Sequence, residues 1–450
     1  MVCKERPIGG KEMKVKKMMK RIVASALTAA MVLALAGCGG SSYKDANSST
    51  SDDGKIHLTF WSHQEEAWDN SYQEIADAFM EENPDIVIEI ETFPYDDYES
   101  KVQTSLISKE GGADIYELWG GWGLDYAPTG ALAAIPDEMQ AEIEEEAYPA
   151  TYSALMSDGK LYGMPEEFNI ECGGLLVNNT ILEANDFEVA TTWDELIEQA
   201  KEATVIDGDI YDIKGFDPLN WDGVMYLFTS MILSQGGQYL NEDGTVDFNT
   251  LEAKKAFDEL ASLYGTTTDL LGLTGGDELE GYQQLYTNEV LYVPRGPWAV
   301  SDGEASFGLT YGEDFDYVAM PWYGDEEGFA AETGWSIGVA SSSENQEAAF
   351  KFLEYFFSDD VILSHNVACG QIPAKKSVAQ SEEYLELVPY AEPLLSILDK
   401  GQFIGYFNTD QFKEIVNDVY LKYVTTDEYA DIDAAMADMT DRVNEIVIEQ

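Results

Sequence analysis

The stretch IHLTFWSHQEEAWDNSYQEIADAFMEENPDIVIEI, residues 56–90, places a helix pattern between two strand patterns. Ile56–Phe60 and Ile86–Ile90 are short runs rich in apolar and β-branched residues, which favours strands. Between them, Ser71–Glu82 places its apolar residues on one helical face, and Asn83 with Pro84 ends that pattern. A strand, a helix and a strand in succession predict a right-handed parallel crossover, and therefore an α/β sheet.

The same rhythm continues along the chain. Capping-box patterns predict helix starts at Thr192, paired with Glu195, and at Asn249, paired with Glu252. The helix from Thr192 is expected to continue through Leu196–Ala203, and the helix from Asn249 is expected to run to Leu263. Further helices are expected at Tyr95–Ser108, Trp221–Gln235 and Glu344–Phe357, with two more within Thr409–Glu449. Strands are expected at Asp114–Trp119 and Glu289–Val293.

Composition excludes some classes of function. The chain has 450 residues, with 25 Lys and Arg against 85 Asp and Glu, and a net charge of −60. Nucleic-acid binding needs a basic surface, which this composition excludes, whereas strong acidity suits a soluble protein outside a cell. The cysteines and histidines have no zinc-site spacing, so we expect neither a metal nor a cofactor. Cys172 and Cys369 are expected either to pair or to remain buried thiols.

The N-terminal segment has the pattern of an export signal. Basic residues between Lys14 and Arg21 precede the apolar run Ile22–Ala36, which is shorter than a membrane span of about 20 residues. The run leads into Cys38 through a sequence that resembles the lipobox of bacterial lipoproteins. We expect a signal peptide over residues 1–37 with translation starting at Met13, lipidation of Cys38, and a polar tether over residues 38–54. An ordinary signal peptide with a chance cysteine is the alternative.

Residues 334–338, GWSIG, match the G-x-S-x-G pattern of a hydrolase nucleophile. Such a nucleophile stands at a sharp turn between a strand and a helix, whereas Ser336 lies in an apolar run that continues to Ala340. We therefore expect a strand through Ser336, with Gly334 and Gly338 allowing close backbone packing. A hydrolase triad would also have to use His365, the one histidine after Ser336.

Seven segments, taken in order, resemble the extracellular solute-binding proteins of bacterial ABC importers, in the sugar-binding group that includes maltose-binding protein. The similarity covers roughly residues 55–450. The segments are LTFWSH (58–63), FMEENPDIVIEIE (79–91), GADIYELWGGWGLDYAPTGALAAIPD (112–137), DGKLYGMPEEFNIECGGLLVNNTIL (158–182), TTWDELIEQAKEAT (191–204), NEVLYVPRGPWAV (288–300), and AAFKFLEYFFSDD with CGQIPAKKS (348–360 and 369–377). The fourth segment departs from the family pattern because it lacks the usual Tyr-Asn-Lys ending.

The resemblance implies a two-lobed α/β fold of the periplasmic-binding-protein type, with a ligand cleft between the lobes. One lobe would comprise residues 55–166 and 333–378, and the other residues 167–332 and 379–450. It also implies a function: a monomeric, lipid-anchored receptor on the outer face of the membrane, without catalytic activity. Such a receptor would bind a neutral oligosaccharide and deliver it to the permease subunits of an ABC importer.

A sugar offers apolar C–H faces to aromatic rings and hydroxyl groups to polar side chains. Family positions and predicted strand ends give the expected ligand-binding residues, Trp122, Trp221, Trp298, Trp335, Glu66, Asn169 and Arg295. Five of them have an alternative: Trp298 as a core residue, Trp335 at the return to the first lobe without facing the cleft, Asn169 as part of the hinge, Arg295 in an ion pair within its lobe, and Glu66 as a solvated charge. Trp119 is expected to be either a core or a ligand residue, and Glu65 either a ligand or a surface residue.

Two other classes of function explain part of the pattern. A secreted or surface glycan-active hydrolase would use paired carboxylates such as Glu166 and Glu167. Adjacent residues of a strand point to opposite faces, so this pair is a poor acid and base couple. A surface adhesin would explain the anchor but not the tryptophans expected in the cleft.

Overall fold

The computed structural model describes residues 54–108, 111–208, 210–241, 243–276, 279–405 and 409–449. All of these residues belong to one unit of the chain, Ser48–Gln450. The predicted signal peptide and the predicted lipidation site, Cys38, lie outside the described residues. Within the described part of the chain, no helix is both long enough and apolar enough to cross a membrane.

The described elements follow one another along the whole chain. The strands are β1 Ile56–His63, β2 Ile86–Phe93, β3 Ile115–Trp119, β4 Met156–Ser157, β5 Lys160–Leu161, β6 Met164–Pro165, β7 Gly174–Asn178, β8 Val205–Asp207, β9 Ile210–Phe216, β10 Val290–Pro294, β11 Phe315–Ala319, β12 Phe329–Ala331, β13 Trp335–Val339 and β14 Gly401–Phe403. The α-helices are α1 Glu66–Glu82, α2 Tyr95–Ser108, α3 Gly120–Tyr126, α4 Asp137–Glu146, α5 Pro149–Tyr152, α6 Asn179–Ala184, α7 Trp193–Ala203, α8 Gly223–Ser234, α9 Leu251–Leu263, α10 Leu271–Thr274, α11 Gly281–Tyr286, α12 Trp298–Ala305, α13 Gln346–Phe356, α14 Asp359–Cys369, α15 Lys376–Ala379, α16 Glu382–Leu387, α17 Asp410–Thr425 and α18 Ile432–Glu449. Short 3₁₀ helices lie at Ser153–Leu155, Glu171–Gly173, Pro389–Leu394 and Leu398–Lys400.

The first lobe is built on a five-stranded sheet with the order β2-β1-β3-β13-β6. β1 pairs in parallel with both β2 and β3, which confirms the parallel crossovers predicted from the sequence. β13 returns to this sheet late in the chain and runs antiparallel to both β3 and β6. The core of the lobe packs β1, β3 and β13 against α1 and α13 through residues such as Leu58, Phe79, Ile115, Ile337 and Phe352.

The second lobe is built on a five-stranded sheet with the order β11-β7-β10-β9-β8. Its middle strands are buried on both faces. Leu175 and Val177 of β7 belong to one apolar core, while Leu176 between them belongs to another. α8 lies in the first of these cores, and every one of its residues is buried. This burial explains why the sequence of α8 is apolar on all sides.

Two predicted helix starts are wrong by a few residues, and capping explains both differences. α1 begins at Glu66 rather than Ser71, because the Glu65 carboxylate accepts hydrogen bonds from the amides of Ala67 (2.9 Å) and Trp68 (3.1 Å). α9 is capped by Thr250, whose hydroxyl accepts from the Ala253 amide at 3.2 Å, and not by Asn249.

The predicted capping box at Thr192 is present in part. The Thr192 hydroxyl accepts from the Glu195 amide at 3.3 Å, as expected. The Glu195 carboxylate reaches back one residue farther than predicted, to the amide of Thr191 at 3.0 Å and its hydroxyl at 2.9 Å.

Cys172 and Cys369 are both free and buried, which decides between the two alternatives in favour of buried thiols.

Candidate ligand-binding site

The carboxyl ends of β1 and β3 meet the amino end of β13 at one edge of the first sheet. Trp335, the first residue of β13, lies opposite Trp119, the last residue of β3. The ring of His63, at the end of β1, stacks on Trp335 with 4.4 Å between centroids and 11° between planes. Trp335 also meets Trp119 edge to face at 5.5 Å and Trp122, in α3, at 6.0 Å. We call the rings gathered around Trp335 the aromatic floor: His63, Trp68, Tyr95, Trp119, Trp122 and Trp335.

Two of the predicted ligand residues are therefore neighbours in this floor. Trp122 and Trp335 come from segments more than 200 positions apart in the chain and are 8% and 9% exposed. Tyr95, at the start of α2, is 45% exposed and meets the ring of Trp335 edge to face at 6.3 Å. The contact of Trp122 and Trp335 with a ligand stays a prediction.

A buried carboxylate holds the ring of His63 in place. One oxygen of Glu117, in β3, lies 2.8 Å from Nδ1 of His63 and accepts the His63 backbone amide at 2.9 Å. The other Glu117 oxygen accepts a hydrogen bond from the Tyr72 hydroxyl at 2.9 Å. Burial by itself lowers the pKa of His63, but the negative charge of Glu117 and its hydrogen bond outweigh burial and raise that pKa above its ordinary value.

A lysine of the second lobe lies against this floor. Nζ of Lys413, in α17, lies 5.9 Å from the ring centroid of Trp119 and 5.6 Å from that of Tyr226. Its ammonium group also pairs with Asp222 at 2.7 Å. Burial lowers the pKa of Lys413, yet the charges of Asp222 and Glu332 outweigh it and keep that pKa above the ordinary value. Lys413 is therefore a charged contact between the two lobes.

A cavity of about 400 Å³ lies on the second-lobe side, beyond the carboxyl ends of β9 and β10. Asp222 lines this cavity and also binds Lys413, so the cavity lies next to the contact between the lobes. Trp221 lines it too, with 41% of its surface exposed. Open α/β sheets bind ligands at such strand ends. The polar and aromatic lining includes Asn220, Trp221, Asp222, Glu280, Gln283 and Arg295.

Arg295 lines this cavity and is held by two carboxylates. Its guanidinium donates to Glu171 at 3.0 Å and to Glu280 at 2.6 Å, so the ion pair within the lobe, one of the two expected alternatives, is present. Nε of Arg295 is buried and has no partner among the described residues. The guanidinium carbon lies 5.5 Å from the ring of Trp298, which is half-buried at the start of α12. The structure thus brings Trp298 and Arg295 together, and their ligand contacts stay predictions.

Asn169 and Glu66 have different surroundings. Residues 166–173, which we call the crossing segment, connect β6 of the first sheet to β7 of the second. Asn169 is buried on this segment and donates a hydrogen bond to Glu332, whose other oxygen accepts from Tyr226 at 2.7 Å. This arrangement is the hinge alternative for Asn169. Glu66 is exposed as the first residue of α1 and makes no hydrogen bond or ion pair with any other described side chain. The structure does not bring Glu66 into the aromatic floor.

The hydrolase pattern around Ser336 is structural. Ser336 is fully buried inside β13, and its hydroxyl donates to the Leu118 carbonyl at 3.0 Å. Gly334 has φ +75°, and a Cβ at Gly338 would lie 2.6 Å from a methyl carbon of Leu118. Both glycines therefore permit close packing, as predicted. A strand through the serine has no nucleophile elbow.

The pair Glu166 and Glu167 also behaves as expected for neighbours on an extended segment. Glu166 accepts from Tyr72 at 2.7 Å on one side, and Glu167 accepts from the Trp335 amide at 3.0 Å on the other. Both carboxyl groups are buried. They therefore serve different neighbours and do not face a common substrate.

Sequence reasoning missed His63, Lys413 and Asp222, and left Trp119 undecided. The rule used for Trp122 could also have found His63, because His63 follows the predicted strand Ile56–Phe60 of a parallel sheet. Lys413 carries no such signal, since it lies within a late helix. Among the described residues, no group of three or more His, Cys, Asp or Glu side chains is arranged to hold a metal ion.

Comparison with known proteins identifies the family. Residues 74–389 match the family described as bacterial extracellular solute-binding protein. The chain belongs to that family. Its members are solute-binding proteins and not enzymes, which agrees with the buried position of Ser336.

Individual relatives of this solute-binding protein extend over most of the chain. The lactose-binding protein of Rhizobium radiobacter is 26% identical over 80% of this chain and 82% of its own length. The diacetylchitobiose-binding protein of Streptomyces coelicolor is 23% identical over 80% of this chain and 83% of its own. In structure, the cyclic α-maltosyl-1,6-maltose-binding protein of Arthrobacter globiformis is similar with a TM-score of 0.72, at 21% identity, over 88% of this chain and 100% of the other. This likeness establishes the two-lobed fold.

Proposed function

We propose that this solute-binding protein is a receptor that binds a carbohydrate in the cleft between its lobes and delivers it to the permease subunits of an ABC importer. The observation that carries the proposal is the aromatic floor of the first lobe, which the charged Lys413 of the second lobe reaches at Trp119. Flat rings stack on the C–H faces of sugars, and carboxylates, amides and guanidinium groups bind hydroxyls. Relatives named for lactose and diacetylchitobiose support the same class of ligand.

A neutral oligosaccharide fits the charge of the site. Asp222 and Glu280 line the cavity, and Glu332, between β12 and β13, lies near Lys413. The cations Lys413 and Arg295 are each already paired with carboxylates. A phosphate or sulfate needs several free cationic or backbone donors, and a net charge of −60 further disfavours an anion. The ligand-binding residues we propose are Trp122, Trp221, Trp298, Trp335, Asn169, Arg295 and Glu66.

The cleft closes on its ligand by rotation of the lobes, and the closed form is the one recognised by the permease. The general hinge mechanism of periplasmic binding proteins is of this kind. The lobes are assigned as residues 55–166 with 333–378 and residues 167–332 with 379–450. Lipidation of Cys38 would hold the receptor, as a monomer, at the outer face of the membrane.

The test is calorimetry with the purified protein, residues 55–450, and lactose, diacetylchitobiose and maltotriose, with glucose 6-phosphate as the charged control. We expect at least one neutral sugar to bind and to be recovered intact by chromatography. Binding of glucose 6-phosphate alone would refute a neutral ligand, and cleaved sugar would favour the glycan-active hydrolase instead. A Trp335→Ala variant that binds as tightly as the parent would refute the role of the aromatic floor.

A further inference from the structure

His63 differs from the other rings of the aromatic floor because it has two polar nitrogen atoms. Nδ1 faces the buried carboxylate of Glu117 at 2.8 Å, and the face of the ring lies against Trp335. Nε2 lies at the opposite end of the ring from this contact, the described residues give it no hydrogen bond, and the His63 side chain is 12% exposed. The ring is therefore fixed on one side and available on the other.

The charged groups that act most strongly on His63 among the described residues are acidic. Glu117 faces it from β3, Glu65 from the loop before α1, and Glu166 from the crossing segment. Asp69, in α1, interacts with it as well. A ring surrounded by carboxylates, with an aromatic face beneath it, favours the positively charged imidazolium form.

The hydroxyl of Tyr72 links the carboxylate beside His63 to a second buried carboxyl group. It lies 2.9 Å from an oxygen of Glu117 and 2.7 Å from one of Glu166, and both accept from it. Burial raises the pKa of Glu166 despite its contact with His365, which favours the protonated form of that group. Glu117 is the carboxylate in direct contact with the His63 ring.

We propose that His63 binds the ligand through Nε2 as an imidazolium donor, so that ligand capture is coupled to the uptake of one proton by this ring. The proton comes from solvent and binds Nε2, while Nδ1–H stays with Glu117. The new N–H then donates to a hydroxyl or ring oxygen of the sugar. This assignment rests on the proposed carbohydrate function, to which it adds a residue and a dependence on pH.

The sign of the pH effect follows from the raised pKa of His63. The imidazolium is fully present below the ordinary value of 6.5 and is lost as pH rises through the higher value of the folded protein. The neutral ring keeps its one proton on Nδ1 and has no donor at Nε2, so the hydrogen bond to the sugar is lost and affinity is about tenfold lower.

The experiment is calorimetry of the tightest binder among lactose, diacetylchitobiose and maltotriose, from pH 5 to 9, in buffers of different ionisation enthalpy. A tenfold difference in affinity shifts the pKa of His63 by about one unit on binding, so the parent protein is expected to take up about half a proton per sugar at a pH just above the His63 pKa. His63→Gln is expected to bind about tenfold more weakly at pH 6 and to take up no proton. His57→Gln is the matched control, because His57 lies at the other end of the same strand, roughly 20 Å away.

The outcomes separate the two proposals. Sugar binding by the parent without proton uptake overturns the role of His63 and leaves the receptor function intact. Proton uptake that persists in His63→Gln also overturns it, because another group must then take the proton. Failure of all three sugars to bind overturns the proposed carbohydrate function, and the ligand role of His63 with it. Measurement on the parent protein decides the matter even if His63→Gln does not fold.

Discussion

Replacing Glu167 with glutamine should remove a pH-dependent cost to stability. Glu167 lies on the crossing segment, is 1% exposed, and accepts the Trp335 amide at 3.0 Å with one oxygen. Its other oxygen is buried without a hydrogen-bond partner among the described residues. Burial raises the pKa of Glu167 to about 8, and the amide bond from Trp335 only partly opposes this. The charges of Glu166, Glu117 and Glu171 act in the same direction as burial.

The magnitude follows from the two pKa values. In the unfolded chain Glu167 loses its proton near pH 4.5, whereas in the folded protein it keeps the proton up to about pH 8. Below pH 4.5 the group contributes no pH dependence. Between these values the free energy of unfolding falls as pH rises, and above pH 8 the loss is constant. The values differ by about 3.5, and each unit corresponds to about 1.4 kcal/mol, so the full loss is on the order of 5 kcal/mol.

The assay is urea unfolding of residues 55–450 at several pH values between 5 and 9, with the parent protein, Glu167→Gln and Glu145→Gln. The glutamine side chain has no proton to lose and retains an oxygen that accepts from the Trp335 amide. We therefore expect Glu167→Gln to gain several kcal/mol relative to the parent between pH 5 and pH 8.5. Glu145 is exposed in α4, so its variant should follow the parent at each pH. An equal stability difference between Glu167→Gln and the parent at all pH values would refute the reasoning.

Three further predictions concern the ligand, the serine and the anchor. Trp298→Ala should weaken sugar binding by about 2 kcal/mol or more, roughly thirtyfold, if Trp298 stacks on the sugar; calorimetry that gives the parent affinity would contradict this. Ser336→Ala should keep sugar affinity within a few fold and lose about 1 kcal/mol of stability with its hydrogen bond to Leu118, and any turnover abolished by this change would show that Ser336 is catalytic after all. Cys38→Ser should abolish lipidation in bacterial cells, as followed by incorporation of labelled fatty acid, and a processed but still membrane-bound variant would argue against the anchor.

Local sequence determined most of the secondary structure of this protein. Apolar periodicity located α1 and α2, the strands β1 to β3, and the last two helices, because a helix or strand must turn its apolar residues toward a core. The strand through Ser336 was predictable for the same reason. Helix starts were less certain, because several neighbouring residues are able to cap. Glu65 and Thr250 take the role through side-chain geometry that spacing alone does not specify.

The candidate site was predictable only as a set of residue types near strand ends. The sequence determined that Trp122 would follow a strand and that a strand would run through Ser336, next to Trp335, and the order of segments indicated the family. Only the tertiary structure decided that His63 stacks on Trp335, that Glu117 holds its ring, and that Lys413 reaches Trp119 from the other lobe. The physical reason is that these contacts depend on sheet register and on the packing of one lobe against the other. Register and packing join residues that are far apart in the chain, whereas helix propensity and apolar periodicity depend on residues within a few turns of one another.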